Sequence, residues 1–517
     1  MEQLKNKMNF KNSFLLISSQ LILGFLFLAT VPLSPVNVTS FSGDTILYTD
    51  VSATHLPLGV VSGPGMDAET GDLDGDGDLD IVIANEYQSN KILLNNGLGI
   101  FTDGTPGRLP QKNLDSEDIG IADLDRDGDL DIVFATEDHA IHELYFNNGG
   151  AVYRDKSNIL PNSIANSVLA VDVNNDSLPD LIFGNAGASD SPAQNSLLIN
   201  NGDTTFTNQT ASRLPQVLDI TQDIKLGDID GDGDNDMVVG NEDGNKIHIN
   251  NGSGFFTDET SARLPLTGTE ETRKVTLCDV DGDNDLDIFF ANVAFRAGRL
   301  RQDRLLLNNG SGVFTDVTST NIPFDNEHTT EGIFVDVDFD GDPDLITTNI
   351  FNNRPVKVFA NNGSGVFGEV TQLVLPPGVL GEGIGIKAGD FNGDNLLDLY
   401  IVNRGMQDRL LLRNDTAKTI GINQLGSEIL GGYSLKQNYP NPFNPATNIK
   451  FDLPKGSIVK LSVFNASGKL VINLMNRQLA AGSFEINWNA AAQPSGIYFY
   501  KIEAADFTQT RKMILIK

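Results

Sequence analysis

Cysteine is almost missing from this chain of 517 residues, where Cys278 stands alone. A single thiol excludes an intramolecular disulfide, so an exported form must find its stability elsewhere. Histidine is scarce as well, and His55, His139, His142, His248 and His328 are scattered. No Ser/His or Cys/His arrangement supports a nucleophile. His139 and His142 lie close together without a third ligand nearby and read as surface residues. Basic residues number 36 against 69 acids, a formal net charge of −33, and such a surface repels nucleic-acid phosphate. Apolar runs long enough to span a membrane are missing after residue 31.

The start of the chain differs. Lys5, Lys7 and Lys11 precede an apolar run over 14–29, broken only by Ser18, Ser19 and Gln20, and small or polar residues follow. Residues 1–40 thus have a signal-peptide layout. The alternative is an uncleaved anchor helix, since 14–31 is barely long enough to cross a bilayer.

What the chain has in abundance is aspartate, placed with a period. Nine-residue loops open at Asp72, Asp123, Asp172, Asp228, Asp279, Asp336 and Asp390, each running into an apolar strand such as DIVIAN. A recurrence of about 50 residues signals stacked or radial repeats. Oxygen side chains fill position three (Asp74, Asp125, Asn174, Asp230, Asp281, Asp338, Asn392) and position five (Asp76, Asp127, Asp176, Asp232, Asp283, Asp340, Asp394). Position nine is always aspartate (Asp80, Asp131, Asp180, Asp236, Asp287, Asp344, Asp398). Position seven would offer a backbone carbonyl, from Asp78, Asp129, Leu178, Asp234, Asp285, Asp342 and Leu396. Hard oxygen donors without His or Cys select calcium, up to seven ions, over zinc or copper.

Two carboxylates about 5 Å apart repel by roughly 3 kcal/mol at an effective dielectric near 20, so four of them need a cation to stay together. Gly77, Gly128, Gly233 and Gly341 at position six permit a left-handed turn around an ion. Asn284 and Asn395 can adopt it too, and Ser177 less readily. Loops three and seven, with an amide at position three, should bind most weakly. An EF-hand is excluded, because its bidentate Glu position holds Ile83, Phe134, Phe183, Val239, Phe290, Thr347 and Ile401.

Each unit reads as four strands. One ends at the loop, one leaves it, a third ends in Asn-Asn-Gly (95–97 in the first unit), and a fourth opens on an aromatic and stops at Leu-Pro. Seven such units describe an all-β, seven-bladed propeller over 45–415. The seventh lacks a fourth strand, while 48–57 (YTDVSATHLP) supplies one in advance of the first loop. That segment should therefore complete the last blade and seal the ring.

These loops resemble the FG-GAP/VCBS family, the calcium-loop propellers also found in integrin α-subunits. The resemblance implies calcium at the matching loop positions and binding through a propeller face. After a linker over 416–432, residues 433–517 carry YPNPFNP, SGIY and a basic final strand. The alternating strands describe a small Ig-like β-sandwich. The motifs resemble the C-terminal sorting domain of type IX secretion, which implies that machinery as a partner and a secreted or outer-membrane destination.

The loops opposite the calcium side vary most, at 186–194, 293–303 and 350–355, and variable loops on a rigid scaffold are where binding concentrates. The fifth unit gathers Arg273, Lys274, Arg296, Arg299, Arg301 and Arg304 beside Phe295. These could clamp an anionic glycan, or they could balance the acidic ring. The expected role is adhesion or binding of a glycan or protein, by a monomer. The rival is a polysaccharide lyase or hydrolase using Asp67, Asp118, Asp223 and Glu331, each five residues before its loop.

Overall fold

A computed structural model describes residues 46–414, 422–426 and 432–517, apart from 139, 190, 266–269, 352, 354, 355, 467, 468, 480, 491, 492 and 506. The signal-peptide stretch and most of the linker lie outside the described residues. The described structure is all-β, and none of its helices is long and apolar enough to cross a membrane.

Between Tyr48 and Arg413 the chain forms repeated antiparallel sheets in the order first, second, third, fourth strand. The first consists of Gly65–Gly71, Asp80–Asn85, Lys91–Leu94 and Thr102–Asp103. The first strand of each sheet lies beside those of the sheets before and after it, and Gly65–Gly71 lies beside Gly383–Gly389. The series closes on itself as a β-propeller.

Continuous burial of the second strands follows from that packing. Successive residues of a strand face opposite ways, and here both faces meet a neighbouring sheet. Ile81 and Ile83 join a core with Tyr400 and Val402 of the last sheet. Val82 and Ala84 join another with Ile132 and Phe134 of the second. The stretch Ile81–Ala84 is apolar at every position for this reason, rather than alternating.

Closure occurs where the repeat phase puts it. Tyr48–Asp50 pairs antiparallel with Arg409–Arg413, matching Tyr48 to Arg413 and Asp50 to Leu411, and Tyr48 is fully buried. In the third sheet, the variable loop adds Ser191–Gln194, which pairs with Ala186–Gly187 and with Leu218–Asp219.

The C-terminal region is two four-stranded sheets around one core holding Phe443, Phe451, Trp488 and Tyr500. One departure from the sequence reading appears here. Ile422–Gly426, inside the stretch read as linker, pairs with Gly482–Asn489 as an edge strand. Edge pairing needs main-chain hydrogen bonds more than a side-chain pattern, and so left little trace in the sequence.

Candidate metal loops and the ligand face

Each loop is wrapped by its own carboxylates. Asp72 accepts the N–H of Gly75 at 2.8 Å and that of Gly77 at 3.0 Å, and Asp76 accepts the N–H of Asp78 at 3.0 Å. Asp228 and Asp279 repeat the pattern. Position six is left-handed as expected, at Gly77 (φ 94°), Asn284 (73°), Asn395 (64°) and also Ser177 (67°). Position four is left-handed too, at Gly75 (81°), Arg126 (66°), Asn175 (62°) and Phe339 (59°). Gly75, Gly231, Gly282 and Gly393 carried a signal for this second turn that the sequence reading missed.

Position nine does more than face a cation. Asp80 is fully buried and accepts the N–H of Leu73 at 3.0 Å and of Asn95 at 2.8 Å. Asp131, Asp180, Asp236, Asp287, Asp344 and Asp398 repeat both bonds in their own loops. Each braces its loop to the end of the third strand. Burial, with the loop carboxylates adding to it, pushes these carboxyls up against the pull of the backbone donors. They reach about 7 at Asp80, Asp131, Asp236, Asp287 and Asp398, about 6 at Asp180 and about 8 at Asp344.

Whether the loops suit a cation can be read from unmet polar atoms. Asp74, Asp125, Asp230 and Asp281, all at position three, bury Oδ1 without a hydrogen-bond partner, and so does Asp336 at position one. An unmet buried acceptor costs about 1–3 kcal/mol. Ligand oxygens of Asp72, Asp74 and Asp80 lie within 4.8 Å of one another, as do those of Asp279, Asp281 and Asp287. In loops two and four the trios are Asp123, Asp125, Asp127 and Asp228, Asp230, Asp232. This donor set fits a hard divalent ion, which would supply charge balance and hold the turn closed.

A tie between loops was not foreseen. The first Asn of each Asn-Asn-Gly turn donates from Nδ2 to the position-two carbonyl of the preceding loop. Asn95 reaches Phe391 at 2.8 Å, Asn147 reaches Leu73 at 2.8 Å and Asn200 reaches Leu124 at 2.9 Å. Asn250, Asn308 and Asn361 do the same. In the last sheet Arg413 takes over, its guanidinium donating to Val337 O and to Asp336 O. Recurrence of that Asn was the available signal, because a hairpin alone needs only Asn-Gly.

The inner strands carry a second constellation. A bulge at the same point turns Asp67, Asp118, Asp223, Lys274 and Glu331 inward. Lys274 Nζ donates to Asp67 at 3.1 Å and Asp118 at 2.7 Å, and Lys387 Nζ lies 3.2 Å from Glu331 and 3.0 Å from Glu69. The acids also tie sheet to sheet, with Val168, Val275 and Ile386 donating backbone N–H to Asp118, Asp223 and Glu331. Burial raises Asp118 to about 8 despite Lys274, whereas Lys274 and Lys387 outweigh burial at Asp67 and hold it far below the usual range. The four acids weighed for catalysis are thus together, but buried and committed to lysines and backbone.

A profile of the FG-GAP-like repeat matches residues 72–134, 123–183, 172–239, 228–290 and 336–401, more than half of the chain. The chain belongs to the FG-GAP-like repeat family. Residues 437–517 match the secretion system C-terminal sorting domain, which indicates export by type IX secretion to the cell surface or beyond. No curated protein matches. Among solved structures, an Agrocybe aegerita lectin recognising non-reducing terminal N-acetylglucosamine is similar at 18% identity and TM-score 0.38, over 65% of this chain and 85% of that one. BBS1N, in its complex with ARL6DN, is similar at 13% identity and TM-score 0.45, over 72% of this chain and 99% of that one.

In this FG-GAP-like protein the basic group of the fifth sheet does not form one cluster. Lys274 belongs to the inner network. Arg304 is buried between Glu270 at 2.6 Å and Asp316 at 3.1 Å. Arg296 pairs with Glu242 and Asp243, and Arg299 with Asp243. Arg273 donates to Gln222 and lies 5.2 Å over the Phe295 ring, while Arg301 donates to Asn326 O at 3.3 Å. His142, read as a surface residue, is instead buried and stacked on Phe183 at 4.3 Å, with its Nδ1 facing the N–H of Thr136. An apolar neighbour supplied by the next sheet explains the difference.

Proposed function

We propose that this FG-GAP-like protein is an exported seven-bladed propeller that binds calcium through its nine-residue loops and presents the opposite face to an extracellular glycan or protein. The C-terminal sandwich, Ig-like in this reading, is the address for secretion. The observation that carries the proposal is the set of buried position-three oxygens without hydrogen bonds, at the same point of loops one, two, four and five. Calcium is the cation, because every donor is a hard oxygen and neither His nor Cys stands among them. Its role is structural, since an ion bound only by the folded chain adds RT ln(1 + [L]/Kd) of stability per site. Catalysis is not part of this function, because the best-placed acids serve as ties between sheets.

Two measurements test it. Excess EDTA should lower the melting temperature, with recovery on calcium addition. An unmoved melting curve would sink the metal reading. A glycan and protein array run beside a turnover screen on the same glycans should give binding without product. Turnover would replace the binder with a lyase or hydrolase.

A further inference from the structure

The end of the fifth and sixth sheets opposite the calcium loops carries three aromatic rings in mutual contact. Phe295 and His328 stack at 5.4 Å with planes 20° apart, and Phe351 meets both edge-on, at 5.8 Å and 5.2 Å. His328 is buried, Phe295 is 41% exposed and Phe351 is 66% exposed. The rings come from three separate segments: the variable loop after Asp287–Asn292, the start of His328–Val335 and the residue after Asp344–Ile350.

The exposed ring is also held in place. Phe351 has φ 71°, a conformation that a bulky side chain rarely adopts, and its N–H donates to Glu382 of the next sheet. His328 Nδ1 accepts the N–H of Ala294 at 3.2 Å. Strained, over-determined positions of this kind gather at ligand sites.

Charge around the rings departs from the rest of the molecule. On a chain of net charge −33, most arginines of the fifth sheet find carboxylates. Arg273 and Arg301 come within ion-pair distance of no described carboxylate, although the Arg273 charge acts on Glu117. Arg273 lies over Phe295, and Arg301 is near enough to His328 to add to burial in pushing its pKa down to about 4. The two phenylalanine rings and the uncharged imidazole are therefore accompanied by two planar cations.

Resting on the binding function proposed above, we infer that this end of sheets five and six binds an acidic saccharide, with Phe351 beneath the C–H face of a sugar ring and Arg273 and Arg301 drawing its carboxylates. A raised ring suits the flat face of a pyranose, whereas an apolar peptide side chain seeks enclosure. Guanidinium groups receive carboxylates through two parallel hydrogen bonds.

The test uses the exported chain loaded with calcium and a panel of hyaluronate, alginate and galacturonate oligosaccharides, each beside its methyl ester, with a glutamate-rich peptide for comparison. At least one acidic oligosaccharide should bind ten or more times tighter than its ester. Phe351→Gly should weaken that binding about tenfold or more while leaving the melting temperature unmoved, because glycine accepts the left-handed backbone. Arg273→Gln with Arg301→Gln should do the same, and Arg296→Gln with Arg299→Gln should change it less than about threefold. Equal binding of acid and ester, or binding indifferent to both the Phe351 and the Arg273/Arg301 variants, overturns the inference. So does a peptide that binds here in preference. If arrays find only neutral glycans, the proposed function survives and this site falls; if they find no ligand at all, both fall.

Discussion

The two ends of the repeated sheets are built by opposite rules. At the aspartate-loop end, seven loops share one hydrogen-bond scheme, and each is tied to the loop before it by an Asn or, once, by Arg413. At the other end each sheet differs: the third adds a hairpin, the second buries a histidine, and the fifth and sixth share stacked aromatics. Repetition belongs where identical neighbours must pack and balance charge. Variation is tolerated where a loop contacts solvent, and recognition can be placed there at little cost in stability.

The largest break in this comparison should come from the seal. Deleting residues 44–57 removes the buried Tyr48 and the pairing of Tyr48–Asp50, without touching a loop carboxylate. Loss of one large buried aromatic alone costs about 3–5 kcal/mol, and here an edge is opened as well. Chemical denaturation should show early unfolding of the whole propeller. A variant that melts like the parent would show that the ring is not held by this strand.

Next in size is a contrast within one loop. Asp131→Ala strips two backbone donors of their buried acceptor, and should destabilise by roughly 2–5 kcal/mol whether or not calcium is present. Asp125→Asn removes charge from an oxygen with no hydrogen bond. It should lower calcium affinity at that loop while leaving stability in EDTA unchanged or slightly raised, since a like-charge repulsion goes with it. Matched losses in EDTA from both changes would refute the division between brace and ligand.

A smaller effect, about 0.5–1.5 kcal/mol, is expected of Asn147→Ala, which takes from the Leu73 carbonyl of the preceding loop one of its two donors and leaves the Ala151 N–H as the other. Calcium titration of this variant should also show loop one weakened, although no ligand has changed. Unaltered affinity there would mean that the ties carry stability but no communication.

The smallest test concerns pH at the variable end. Burial holds His142 down to about 4, below its unfolded value near 6.5. The unfolded chain then binds the extra proton, so the contribution of His142 is full above about pH 6.5 and is lost as pH falls toward 4. His142→Gln should flatten that part of the stability profile relative to the parent. Ring resonances of His142 titrating near 6.5 in the folded protein would contradict it.

Much of the architecture was legible in the residues themselves. Spacing of the aspartates set the repeat, and the apolar segments after the loops marked the second strands. The orphan segment 48–57 revealed the closure, because its phase matched a strand missing from the other end. Periodic features survive in sequence because each copy meets the same surroundings. Tertiary structure alone decided what lies between copies. It made Asp80 and its relatives braces between loop and third strand, and drew Lys274 out of the arginine group into the inner carboxylates. It left Arg273 and Arg301 beside three rings from separate segments. The physical reason is distance along the chain: these partners lie tens to hundreds of residues apart, so no local pattern records them until the sheets are brought together.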